Sequence, residues 1–156
     1  MTNPQQHLIF LTNRVGRQFS RILLEGLEFE AFSPQSTHMG LLADLMIGDG
    51  QRQQDLAISS IKDKATVARA LKQMEQAAFI RRDVDPADRR QKRIYLTDKG
   101  HRLWSYATAR AECTTDRATA NIPTADLAVC TDVLQRIYRN LYGQMSSSPT
   151  NSIVTP

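Results

Sequence analysis

Residues 80–96 constrain the fold most, because Ile80 and Val84, then Ile94 and Leu96, alternate in strand fashion on either side of a turn. Pro86 and the aspartates around it favour that turn, so Ala87 to Gln91 should form an exposed loop at the end of a hairpin. Arg89 and Arg90 sit near its tip. Guanidinium groups held out on a stalk suit phosphate and groove recognition better than they suit folding, which makes nucleic acid the first partner to consider. A charge run is also the usual form of a solvated face, so the tip alone decides nothing.

The charge distribution points the same way. Residues 51–104 hold thirteen Lys and Arg against seven Asp and Glu, whereas residues 1–50 hold three against five and residues 105–156 four against four. The positive field is confined to the middle third, as expected of a localised anion-binding surface rather than a generally basic chain.

Around the hairpin the apolar spacing is helical. Leu8, Leu11, Val15, Phe19, Ile22 and Gly26 recur at threes and fours and predict an amphipathic helix to about Phe29, with Arg14, Arg17 and Arg21 on its other side. Ser33-Pro34 reads as the start of a second helix, whose buried face is Met39, Leu42, Leu45 and Met46 and whose end is Gly48-Asp49-Gly50. A short helix over 52–60, anchored by Leu56 and Ala57, precedes a third start at Asp63, whose side chain can cap the amides of residues 65 and 66. The helix that follows runs to about Ala78, with Val67, Leu71, Met74 and Ala78 on one stripe. Thr97 caps a long helix to about Ala120, packed through Leu103, Trp104, Ala107 and Ala111, and Pro123-Thr124 interrupts it. A last helix carries Leu127, Cys130, Leu134, Ile137 and Leu141 at the spacing of a helix-packing seam, and 146–156 reads as a disordered tail.

Two short helices followed by a basic hairpin form a winged helix-turn-helix, in which the second helix enters the major groove and the hairpin reaches the neighbouring minor groove. On the outer faces of that second helix, Ala65 and Ala68 permit close approach to a duplex, Thr66 can bond a phosphate or a base edge, and Lys64 or Arg69 can reach guanine acceptors. Lys72 adds charge to the same surface. For Lys64 and Lys72 simple helix solubility is an equally good account.

The chain resembles the MarR family of bacterial transcription regulators, dimeric winged helix-turn-helix proteins. The likeness is densest over Gln54-Asp55-Leu56-Ala57, Asp63 to Leu71, Met74-Glu75, Phe79-Ile80-Arg81-Arg82, Asp85 to Arg90 and Leu96-Thr97-Asp98-Lys99-Gly100, and the segment Asp88 to Ile94 is similar to the SlyA branch. Ile61 and Lys62 stand where the family has a glycine and an aliphatic residue, and Ala78 stands where it has a glycine. The resemblance implies a mainly α (α+β) fold with long terminal dimerisation helices: an arm over 1–32, a DNA-binding lobe over 33–100, a second arm over 101–145 and the tail. It implies a homodimer on a near-palindromic site in double-stranded DNA, with repression the commoner outcome. It also implies that Arg90 enters the minor groove while Asp88 holds its guanidinium. The residues alone leave Asp88 an alternative role as a turn residue bonding backbone, and Arg89 that of a phosphate contact.

Family members often bind small aromatic anions between the lobe and the dimerisation helices, and the resemblance brings Arg14, Arg17, His38 and Met39 nearest to such a carboxylate. An arginine on a polar helix face is more often simply solvated. Cys113 and Cys130 show neither a CxxC spacing nor a histidine partner, and Cys130 on the seam reads as an unreactive core thiol. His7, His38 and His101 lie in no metal-binding spacing, so no metal or cofactor is expected, and no catalytic constellation suggests an enzyme. No signal-peptide core or membrane span is legible, which makes the cytoplasm the expected setting. The alternative reading is a ligand- or protein-binding module of the same fold without DNA binding.

Overall fold

The computed structural model describes residues 7–59 and 63–146. The expected tail after Ser146, the Ile61-Lys62 turn and the Ala57 side chain lie outside what is described. The elements in order are α1 (Leu8–Leu24), α2 (Ser36–Ile47), β1 (Gln51–Arg52), α3 (Gln53–Ser59), α4 (Lys64–Gln76), β2 (Ile80–Val84), β3 (Lys92–Leu96), α5 (Asp98–Ala118) and α6 (Thr124–Ser146). The chain divides into two compact units, Met1–Thr115 and Asp116–Pro156.

In the first unit β3 is the middle strand of an antiparallel sheet of order β1-β3-β2, with Ile80 opposite Leu96 and Val84 opposite Lys92. Period two along β3 sends Ile94 and Leu96 inward, where Leu41, Leu42 and Leu45 of α2, Leu56 of α3 and Val67, Leu71 and Met74 of α4 close one core. Phe79, fully buried, joins that core to the ring of Phe32 at 4.8 Å. Gly100 opens a gap that no side chain can occupy, because a Cβ there would lie 2.3 Å from the Phe79 carbonyl oxygen. The motif glycine at the start of α5 is therefore a packing requirement.

Several boundaries differ from the sequence expectation. Helix α1 stops at Leu24 rather than Phe29: Gly26 takes φ +66°, and Phe29 pairs with Phe32 in an isolated bridge. Arg110 of α5 closes that end by donating from Nε to the Leu23 carbonyl at 2.9 Å and from Nη2 to the Glu25 carbonyl. Helix α2 is not capped by Ser33-Pro34; its cap is Gln35, whose amide donates to His38 Nδ1 at 3.0 Å. Its buried face includes His38 and Leu41, while Met46 is exposed. Helix α4 ends at Gln76, and Ala78 is not on its buried stripe but exposed, in the left-handed region at φ +61°. The position therefore keeps the conformation that glycine serves best. The two-residue strand β1 is too short to carry a sequence pattern, and it takes Arg52 from the start of the helix expected over 52–60.

Helix α1 buries no residue; Leu8, Leu11 and Val15 stay exposed. In the second unit α6 leaves Val129, Leu134 and Leu141 exposed, and Cys130, expected in a packed seam, is exposed as well. Cys113 is also exposed. Among the described residues no helix is long and apolar enough to cross a membrane.

Candidate functional site

The 13 residues of α4 divide cleanly between two environments. Val67, Ala70, Leu71 and Met74 are buried, which forces Lys64, Ala65, Arg69 and Lys72 outward at the complementary positions, with Ala68 half-buried beside them. Asp63 caps the helix: its carboxylate accepts the Thr66 amide at 2.8 Å and the Thr66 hydroxyl at 2.6 Å. Those two bonds, the hydroxyl's first, hold the Asp63 carboxyl below its usual range. The Thr66 hydroxyl proton is thus spent on the cap, leaving its oxygen as an acceptor only.

The wing is built from a carboxylate that the sequence did not single out. Asp85, with no exposed side-chain surface, accepts the Ala87 amide at 2.9 Å, Arg93 Nε at 3.0 Å and Arg52 Nε at 3.2 Å, so one anion joins β1, β3 and the loop. Arg93 also reaches the Gly50 carbonyl at 3.1 Å, where φ +75° and the Tyr95 ring packed on it leave room only for glycine. The Ala87 amide first, then the Arg93 and Arg52 charges, keep the Asp85 carboxyl below its usual range against the opposing effect of burial. The loop closes through the Asp85 amide on the Gln91 carbonyl at 3.0 Å. Asp88 does not hold the Arg90 guanidinium; its carboxylate accepts the Arg90 backbone amide at 3.0 Å and the Gln91 side-chain amide at 2.9 Å. It is the turn residue of the alternative reading, fixing the Arg90 backbone and leaving the guanidinium exposed.

The basic residues accordingly fall into two groups. Arg52, Arg81, Arg82 and Arg93 are engaged with Asp85, Asp83 or Glu75, and Arg81 also stacks on Tyr95. Lys64, Arg69, Lys72, Arg89, Arg90 and Lys92 have no ion-pair partner among the described residues and lie exposed. Sequence reasoning found all of the second group except Lys92.

The four residues considered for a small ligand do not converge. Met39 lines an apolar cavity of about 320 Å³ together with Leu23, Leu24, Ala43, Trp104 and Ala107. His38 is buried beside it in sequence but points elsewhere: Nδ1 accepts the Gln35 amide, so the neutral ring carries its proton on Nε2 and donates to Gln73 of α4 at 2.9 Å. Arg14 and Arg17 line a separate groove along α1 with Gln18 and Arg21. The hydroxyls of Ser20, Ser36 and Thr108 are the polar side chains in the apolar cavity.

The MarR family pattern matches residues 36–92. The chain is 31% identical over 117 residues to the uncharacterized HTH-type transcriptional regulator YdgJ of Bacillus subtilis (strain 168), covering 74% of this chain and 71% of that one. Against the transcriptional regulator HosA of Escherichia coli O111:H- it is 35% identical over 74 residues, 47% of this chain and 53% of HosA, so it spans about half the length of that relative. Its fold matches the crystal structure of the transcriptional regulator SlyA with a TM-score of 0.75 at 23% identity, over 90% of this chain and 98% of that one. It also matches CouR from Rhodococcus jostii RHA1 bound to p-coumaroyl-CoA, with a TM-score of 0.70 at 22% identity over 97% and 100% of the two chains.

Proposed function

Given that this chain belongs to the MarR family, whose members are DNA-binding transcription regulators rather than enzymes, we propose that it binds a near-palindromic operator in double-stranded DNA as a cytoplasmic homodimer and represses transcription there. The observation that carries this reading is the segregation of charge on the lobe. The cations at the base of the wing are each paired with Asp85, Glu75 or Asp83, while those on the outer face of α4 and at the wing tip are left without a carboxylate. Folding does not need the second group. An α-helix with small residues Ala65 and Ala68 between Lys64 and Arg69 fits the major groove, and Arg90 on its anchored turn fits the minor groove.

The uncovered apolar rows of α1 and α6 support assembly with a second copy, and two-fold assembly makes palindromy the expectation. The apolar cavity supports release by a small aromatic carboxylate whose ring fills it. CouR, of the same fold, holds an aromatic acyl-CoA. No basic side chain lines the cavity among the described residues, and Arg14 and Arg17 line a separate groove. The ligand acts by favouring one spacing of the two lobes over the other.

Selection of bound sites from a random duplex pool tests the reading. Wild type should enrich a palindrome, and Arg90→Ala should bind it at least about tenfold more weakly, about 1.4 kcal/mol. Salicylate should release the wild-type complex and fail with a cavity-filled Ala43→Phe variant. A pool that stays random would leave the alternative, a binding module of the same fold without DNA binding.

A further inference from the structure

We propose that the groove formed by Arg52, Gln53, Gln54, Lys64, Gln91 and Lys92 is a phosphate seat that grips one backbone phosphodiester of the bound duplex. The inference rests on the DNA-binding reading above and assigns a site that reading did not contain. The groove measures about 300 Å³ and draws on β1, the start of α3, the start of α4, the end of the wing loop and the start of β3. It therefore lies between the helix assigned to the major groove and the wing assigned to the minor groove. The sugar-phosphate strand is what separates those two grooves in a duplex, so a protein that enters both must pass one strand across the intervening surface.

The lining has the chemistry that a phosphate oxyanion needs. Three side chains are cationic, three are carboxamides able to donate N–H bonds, and none is a carboxylate. Lys64 and Lys92 have no ion-pair partner among the described residues. Arg52 is different: Asp85 receives its Nε, which orients the guanidinium, but the same single carboxylate also receives Arg93. Two cations on one anion leave a positive excess at the wing base. The start of α4 contributes Lys64 rather than free amides, because the Asp63 carboxylate already caps that helix end. Lys64, a candidate guanine reader in the sequence, is thereby reassigned to the backbone, and Arg52 becomes a positioning residue that links wing geometry to the same phosphate.

Affinity for a selected duplex and for a random duplex of equal length, measured across a salt series, tests the seat with Lys64→Ala and Lys92→Ala, whose exposed side chains leave the thermal midpoint as in wild type. Each variant should lose the same factor on both duplexes, about threefold to tenfold, and lower the slope of log affinity against log salt by about 1.8, one phosphate for each protomer of the homodimer. A single neutral methylphosphonate linkage, scanned along the operator, should weaken wild type at one position in each half-site and weaken the double variant much less there. Unchanged affinity and slope in both variants while Arg90→Ala still weakens binding would overturn the seat and keep the DNA reading. So would a loss confined to the selected duplex, which would make the lysines base readers. Inorganic phosphate at constant ionic strength should not displace the duplex; displacement at millimolar phosphate would show a free-anion site instead. Salt-insensitive or absent duplex binding by wild type would overturn the function and the seat together.

Discussion

Helices α1 and α4 carry the same kind of sequence signal, apolar residues at threes and fours, and meet opposite fates. Helix α4 buries Val67, Ala70, Leu71 and Met74, while α1 buries nothing within its own chain. Periodicity therefore reports that a helix has a face to cover, and not what covers it. For α4 the cover is the α2, α3 and sheet core; for α1 we propose a second copy.

The largest effects should come from attacking these two stripes separately. Leu71→Ala, at a fully buried position, should cost about 2–5 kcal/mol in denaturant unfolding of the lobe. Val15→Asp in α1 should convert a dimer to monomers in sedimentation yet leave the near-ultraviolet signal of the lobe intact. Equal unfolding by both would break the distinction between the helices.

A smaller effect is expected where α2 meets α4 through His38. Burial pushes the imidazole pKa below its ordinary 6.5, with the Gln73 bond opposing more weakly. The unfolded chain then takes up the proton first as pH falls, so this contribution to stability is complete above about pH 6.5 and is lost as pH drops through the folded pKa. Protonation puts a hydrogen on Nδ1, where the Gln35 amide already donates, and losing such a cap costs about 1 kcal/mol. Unfolding titrations between pH 7.5 and about 5 should show this slope in wild type and a flatter one in His38→Gln. The smallest effect is at the end of α4, where Ala78→Gly should raise stability by about 1 kcal/mol or less by relieving the left-handed alanine.

What the sequence disclosed followed its local patterns. The Asp63 cap, the stripe of α4 and the strands around Pro86 are all encoded within a few residues of where they act, and the structure keeps them except for Ala78, which falls beyond the end of the stripe. What it withheld depends mostly on distant partners. Asp85 meets Arg52 across 33 residues and a two-residue strand too short to have a period. The stripe of α1 runs on through Gly26, but that glycine is the local stop signal just past Leu24, at φ +66°, which apolar spacing alone passes over. At Asp88 the local alternative prevailed over the pairing drawn from family likeness. Residue type alone could not separate the arginines that build the wing from those left exposed, because the carboxylates that make the difference come from other elements.

The Arg110 bonds that finish α1 also set an order of events in time. The closing contact joins residues 87 positions apart, so it cannot exist until α5 has been made. At about 5–20 residues per second, the newborn α1 waits roughly 4–17 s with bare carbonyls at one end and an uncovered apolar row along its side. Helix α1 is thus completed well after it is made, and its oily face, which the Arg110 bonds do not cover, is open throughout to any chaperone or neighbouring nascent chain.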